Sequence, residues 1–249
     1  MESIDYREAL YSTYVSGHKK HTHERVTEAE KARFLDYLQW CYGDWMLSSE
    51  QNPRVLDLGC GSGLILDLFK RLGYQDIHGV DVSAEQVTIA RQHFPQVVEG
   101  DMFDYLEKTD PGSFDLVTGF DLAEHLTRSE MIAFFRAVLR VLKPGGRMII
   151  QMPNGDTPFA GAVFCSDPTH ECLFTSTAYQ HVLFASGFEV LGFKERCPRP
   201  VGAKGIARAL LWKAMRNLIK AAHYIETGAP STGIYSRVFA CCAVKPRNA

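Results

Sequence analysis

The sequence predicts an α/β fold: a doubly wound, mostly parallel seven-stranded sheet whose last strand runs antiparallel. Short apolar runs alternate with stretches of helical periodicity, the first run ends in a glycine-rich turn, and the alternation breaks only beyond residue 153. Parallel strands need crossovers, so such an alternation implies helices on both faces of the sheet.

Taken in order, the elements support this. Phe34, Leu35, Leu38, Cys41 and Tyr42 recur at helical spacing, and the apolar run RVLDL at 54–58 then ends in glycines. Helical stretches at about 63–72, 84–93 and 129–141 are interleaved with strands at 77–82, 97–100, 115–120 and 147–152. Lys143-Pro-Gly-Gly146 reads as a turn feeding the fifth strand. Beyond 153 come a polar, Pro-rich loop, a helix near 176–186, a strand at 188–196, a basic helical stretch at 203–225 and a strand at 235–244. An insertion and no ordinary crossover separates the last two strands, so they are expected to pair antiparallel at the sheet edge. No repeat or linker divides the 249 residues, and one domain over 1–249 is expected. It comprises an N-terminal helical cover over 1–50, a sheet core over 51–200 and 235–246, and a basic helical insertion over 201–234.

A formal net charge of -2 offers no global attraction to nucleic acid or to an anionic membrane, although a local basic patch can still supply one. Nucleic acid is therefore not the expected partner, and no RNA-binding module is recognisable. The seven cysteines are scattered without a CxxC pair, and MESIDYREAL lacks the apolar stretch of a signal peptide, so reduced thiols in the cytoplasm are expected. No apolar run approaches the roughly 20 residues that span a bilayer.

The strongest local signal is VLDLGCGSG at 55–63. A buried strand ending in Gly-x-Gly-x-Gly lets the backbone turn sharply and lets a ligand approach where side chains would collide. A dinucleotide fingerprint needs a third glycine where this chain has Leu64, and Asp57 would set a carboxylate near a pyrophosphate. A neutral or cationic ligand fits better. The next strand ends in Asp81, placed to accept hydrogen bonds from two ribose hydroxyls, and the third in Asp101-Met102, an acid beside a thioether that suits a flat purine. Each acid has a plainer reading as a helix N-cap. Together they describe a nucleoside with a cationic tail.

In VLDLGCGSG, VDVS, GDM and LKPGG the chain resembles the class I S-adenosylmethionine-dependent methyltransferases over about residues 50–152. The resemblance implies a Rossmann-like methyltransferase fold with S-adenosylmethionine as cofactor. Asp57, Gly59, Cys60 and Gly61 would hold the methionine part, Asp81 the ribose, and Asp101 and Met102 the adenine, with Val82 and Phe120 also binding the cofactor.

After that strand, GFDLAEHL places Asp121, Glu124 and His125 at D-x-x-E-H spacing, where positions i, i+3 and i+4 share a face. Two carboxylates and an imidazole suit a divalent ion, with oxygen ligands favouring Mg²⁺ or Mn²⁺. His170, in DPTHECLFT, is a fourth candidate ligand. This set resembles metal-dependent O-methyltransferases, notably the small-RNA terminal 2′-O-methyltransferases. The ubiquinone-pathway enzymes are similar in the first cluster alone, and Asp121 stands where those families have glutamate. Without a metal, His125 or His170 would serve as general base, with Glu124 beside them. In the bland reading Glu124 caps a helix and His125 packs against the sheet.

PNGDTPFAG, DPTHECLFT and IETG are similar to methyltransferases of bacterial surface-polysaccharide synthesis, whose acceptors are sugar hydroxyls. The expected activity is S-adenosylmethionine-dependent O-methylation of a small polar acceptor, a sugar or glycan. RNA 3′ ends and quinone precursors are the alternatives, with a nicotinamide-dependent oxidoreductase or a non-catalytic cofactor-binding protein behind them. The 203–225 helix is read as covering the site, dimerising, touching an anionic surface or simply packing by its apolar side. Tyr11, Tyr14 and the histidines of 18–23 are read as part of an N-terminal cover.

Overall fold

The computed structural model describes residues 27–46 and 52–248, with Leu10 besides. The expected cover formed by Tyr11, Tyr14 and 18–23 lies outside the described residues. Seven strands form one sheet: β1 (Arg54–Leu58), β2 (Asp76–Asp81), β3 (Val97–Glu99), β4 (Phe114–Phe120), β5 (Leu142–Pro153), β6 (Glu189–Glu195) and β7 (Val238–Val244). Their order is β3-β2-β1-β4-β5-β7-β6. β1 to β5 pair in parallel, and β7 lies antiparallel between β5 and β6. The chain therefore closes its sheet as the sequence predicts, with the last strand reversed.

Two apolar layers cover the sheet. Helices α1 (Glu28–Met46), α2 (Leu64–Arg71) and α3 (Ala84–Arg91) bury Leu38, Tyr42, Phe69 and Val87 on one face. Helices α4 (Met102–Lys108), α5 (Arg128–Val141) and α7 (Ser176–Ala185) bury Leu106, Phe134, Phe135, Tyr179 and Leu183 on the other. The short α6 (Ala160–Phe164) interrupts the loop after β5, and α8 (Gly202–Thr227) stands between β6 and β7. Sheet order reverses between β1 and β4, and the carboxyl ends of strands at such a switch point are where open α/β sheets hold ligands.

The structure adds two details to the sequence expectation. No helix is predicted between the third and fourth strands, yet α4 forms there. Its seven residues bury only Leu106, too little for periodicity to register, and Asp101 starts it as N-cap. The Lys143-Pro-Gly-Gly146 turn is absorbed into β5: the register jumps from Phe114↔Leu142 to Leu116↔Arg147, so the turn survives as a bulge rather than as a separate connection.

Helix α5 begins right after the segment that carries Glu124 and His125, and a capping box fixes that start. Thr127 Oγ1 accepts from Glu130 N at 3.3 Å, and Glu130 Oε2 accepts from Thr127 N at 2.8 Å. Thr127→Ala is expected to cost about 0.5–2 kcal/mol and lower the thermal midpoint, measured by calorimetry.

Candidate active site

The rim is built from strand ends. After β1, Gly59 N and Cys60 N both donate to Val80 O, at 2.9 and 3.1 Å, which stitches the glycine turn to β2. Gly59 has φ +67°, and a Cβ there would lie 3.0 Å from Leu122 Cδ1; Gly61 has φ +53°, and its Cβ would meet Gln86 Oε1 at 2.8 Å. The left-handed backbone disfavours a side chain at both positions, and one would also press on Leu122 or Gln86.

Asp81 is held between this turn and the next helix. Its Oδ2 accepts from Gly61 N at 2.8 Å and its Oδ1 from Ser83 N at 2.9 Å. Ser83, not Asp81, caps α3, so the capping alternative fails for Asp81. Carboxylate oxygens have two acceptor sites each, so both retain capacity for hydroxyl donors. Asp101 does cap a helix: its Oδ1 accepts from Phe103 N and Asp104 N at 2.7 and 3.2 Å. Beside them Val82 is 59 % exposed, an apolar wall at the edge, while Met102 packs half-buried against the core. Phe120 tilts against Tyr42 with ring centroids 5.7 Å apart. A glycine cradle, two acids and an exposed apolar wall fit a nucleoside cofactor.

Asp57 sits beneath the turn, only 2 % exposed, where Thr118 Oγ1 donates to its Oδ1 at 2.6 Å. Burial pushes its carboxyl up to about 8; the Thr118 hydrogen bond opposes this and the Asp81 charge reinforces it. Burial likewise drives the Cys60 thiol far up, with Asp57 and Asp81 adding to the shift, which suits a packing residue.

At the end of β4 the structure selects among the predicted ligands. Glu124, His125 and His170 bring one ligand atom each to within 4.8 Å of one another, the imidazole centroids lying 5.0 Å apart. His170 Nε2 is 4.0 Å from Glu124 Oε1. Asp121 stands outside this group: its backbone is left-handed at φ 52°, and its Oδ1 accepts from Gln151 Nε2 at 3.0 Å. Gln151 Oε1 in turn accepts from Tyr42 Oη at 2.9 Å, so Asp121 is tied to α1 through a buried amide. The D-x-x-E-H face of a helix is not realised, because residues 123–125 form a single 3-10 turn.

Both histidines are oriented through Nδ1. Thr169 Oγ1 donates to Asp167 Oδ1 at 2.5 Å and lies 2.9 Å from His125 Nδ1, so the ring N–H points to the hydroxyl. His170 Nδ1 lies 2.8 Å from Phe164 O, an acceptor only, and is therefore protonated. In the neutral ring each arrangement puts the lone pair on Nε2, as a metal ligand or a base requires. Asp167, Thr169, Gln151 and Tyr42 escape sequence reasoning; only the D-x-T spacing at 167–169, typical of a side-chain turn, signals the first pair. Tyr179 is also missed: it is fully buried, and burial, then Cys241, then Glu124 hold its phenol well above the usual range.

Fold and site together define a class I S-adenosylmethionine-dependent methyltransferase. Residues 23–192 match the model of the methyltransferase domain family, and the chain belongs to that family. Its sequence is 38% identical over 117 residues to the ubiquinone biosynthesis O-methyltransferase of Xanthomonas euvesicatoria pv. vesicatoria, covering 44% of this chain and 46% of that one. The match thus spans less than half of that relative. A SAM-dependent methyltransferase from Archaeoglobus fulgidus superposes with a TM-score of 0.61 at 21% identity over 96% of this chain and 99% of that one. The [4+2]-cyclase SpnF does so at 0.55 and 22%, over 90% and 84%. These two likenesses show the fold alone.

Asp57 gives a pH prediction. A carboxyl raised from about 3.8 unfolded to about 8 folded makes the native state bind the extra proton, so its contribution to stability declines as pH rises through that window. Asp57→Asn should remove the decline, read as a thermal midpoint that gains on the native protein between about pH 5 and 8. A constant difference across that range would refute the assignment.

Proposed function

We propose that the chain is an O-methyltransferase in which Glu124, His125 and His170 hold a divalent ion that binds the acceptor hydroxyl. The reading rests on the meeting of a buried carboxylate and two Nδ1-anchored imidazoles at the carboxyl edge of the sheet. When bound, S-adenosylmethionine supplies a methyl carbon on a cationic sulfonium, and the ion supplies a Lewis acid. Asp81 accepts from ribose hydroxyls, Val82 and Met102 flank the adenine, and the glycine turn admits the methionine part. Asp57, beneath the turn, responds to the approach of positive charge by favouring its ionised form.

With Asp121 outside the cluster, two nitrogens and one oxygen remain, a set that favours Mn²⁺ or another transition ion over Mg²⁺. The protein contributes by fixing the acceptor oxygen and lowering the cost of its deprotonation, and alignment alone is worth roughly 7–11 kcal/mol. The acceptor oxygen would bond to the methyl carbon as the sulfur–carbon bond breaks, its electron pair leaving on sulfur in neutral S-adenosylhomocysteine and the hydroxyl proton passing to solvent. A hydroxyl with a neighbouring oxygen, as in a quinol precursor or a sugar diol, would suit such an ion. The name of the ubiquinone biosynthesis relative supports the quinol type over the sugar expected from the sequence.

The Asp167–Thr169–His125 relay favours a second reading, His125 Nε2 as a metal-free base. Chelation separates the two. Under the metal reading chelator abolishes methyl incorporation into a quinol precursor, Mn²⁺ restores it better than Mg²⁺, and Thr169→Val weakens metal affinity about 10–100-fold. Full turnover in chelator leaves the histidine base.

Asp81→Ala is expected to weaken S-adenosylmethionine binding at least about tenfold in calorimetry, from loss of charge-assisted hydrogen bonds worth about 1.5–3 kcal/mol. Unchanged affinity in a folded variant would remove the ribose assignment.

A further inference from the structure

Helix α8 has 26 residues, none of them buried. At about 1.5 Å per residue it is roughly 39 Å long. One side faces the protein: Ala209, Trp212, Arg216, Ile219 and His223 are half-buried. Arg216 is the anchor, with Nε 3.0 Å from Glu195 Oε2 and an Nη2 donating to Gly233 O at 2.8 Å. The opposite side carries Leu210, Leu211, Leu218 and Ile225, exposed by 63%, 71%, 66% and 83%. These positions fall on one helical stripe together with Ala207, Ala214 and Ala221.

Charge sits on the margins of that stripe. At 100° per residue Lys204 and Arg208 fall along one edge and Lys213 along the other, Lys220 turns towards the protein where its ammonium lies over Gly233, and the helix has no acid before Glu226. Long cationic side chains beside an apolar stripe can lay their stems along it while their heads reach outward. No helix among the described residues is long and apolar enough to cross a membrane. An apolar stripe bordered by Lys and Arg is instead the layout of a helix that lies in a bilayer interface.

We propose that the outer face of α8 docks on an anionic lipid bilayer, with Leu210, Leu211, Leu218 and Ile225 entering the acyl boundary and Lys204, Arg208 and Lys213 meeting the headgroups. Charge complementarity selects this occupant over a second copy. Two-fold pairing through the same stripe would bring like cationic margins together with no acid on α8 before Glu226 to compensate. Each basic residue near a negative surface contributes about 1 kcal/mol, so these three favour lipid by the same repulsion that opposes self-pairing. The segment after α8 also reaches the loop beyond β5: Asn154 Nδ2 donates to Ile234 O and Ser236 O at 3.1 and 2.9 Å. The segment after α8 thus packs on the loop beyond β5, and docking does not depend on the proposed chemistry.

The test is co-sedimentation of the full chain with phosphatidylcholine vesicles, with and without about 30% phosphatidylglycerol, an anionic content that gives a negative surface potential. Binding to the anionic vesicles is expected to exceed that to neutral ones by about tenfold or more and to fall in about 0.5 M salt, where screening is severe. Leu211→Glu with Leu218→Glu should abolish it, and Lys204→Gln with Lys213→Gln should lower it, both leaving the thermal midpoint and S-adenosylmethionine affinity in place. Absence of binding, equal binding to both vesicles, or undiminished binding by the leucine pair would overturn the proposal. So would a stable dimer in sedimentation velocity that the leucine pair converts to monomer.

Discussion

One carbonyl oxygen holds the candidate site together. Glu124 O accepts from Glu171 N at 2.7 Å and from Cys172 N at 3.1 Å. These two hydrogen bonds tie the turn after β4 to the loop after β5, two segments that the sheet alone only makes neighbours. Without them His170 would ride on a long loop; with them its imidazole is placed against Glu124 and His125. The same loop carries Asp167 and Thr169, so this junction, with the Gly155 N to Phe174 O hydrogen bond at 2.8 Å, delivers both a candidate ligand and the groups that set the tautomer of another. Precision at the site thus comes from backbone pairing, which is insensitive to side-chain identity at 171 and 172.

What the sequence revealed followed from periodicity and from turn chemistry. All seven strands and their direction were legible, because parallel strands buried on both faces leave short apolar runs and the glycine turn marks the first of them. Asp81 and Asp101 were legible as strand-end acids, although only the structure separates the acid that caps a helix from the one that braces the glycine turn. Asp121 lies apart from the cluster for a physical reason: the chain leaves β4 in a left-handed conformation, and the turn that follows is 3-10 over 123–125. Its partner Gln151 belongs to β5, where residues 148–153 are all buried, so periodicity gives no hint of a polar function. Relations of this kind are made by tertiary pairing and leave no local pattern.

Asp57 shows how fold and chemistry constrain each other. A carboxyl in the fully buried end of β1 is costly when ionised, and Thr118 offers it a single compensating hydrogen bond. An apolar residue there would be simpler for stability. Positive charge placed near it would favour the ionised form that burial opposes. Asp81, near enough to raise Asp57 further, strengthens this coupling: the two acids repel each other until something positive lies between or above them.

The insertion that carries α8 is a different case, because the sheet does not require it. Antiparallel neighbours such as β6 and β7 can be joined by a hairpin of a few residues. Here the neck of the insertion is closed by Glu195, whose Oε1 accepts from Tyr235 N and Ser236 N while its Oε2 takes Arg216. That buried carboxylate lets β7 begin in register whatever the intervening segment does. The core gains almost nothing from α8, which buries no residue in it, yet the helix is fixed along its inner side by a charged anchor. An element that is held in place but contributes so little to packing has its physical reason on the face that points away, and there the chain sets leucines between rows of cations.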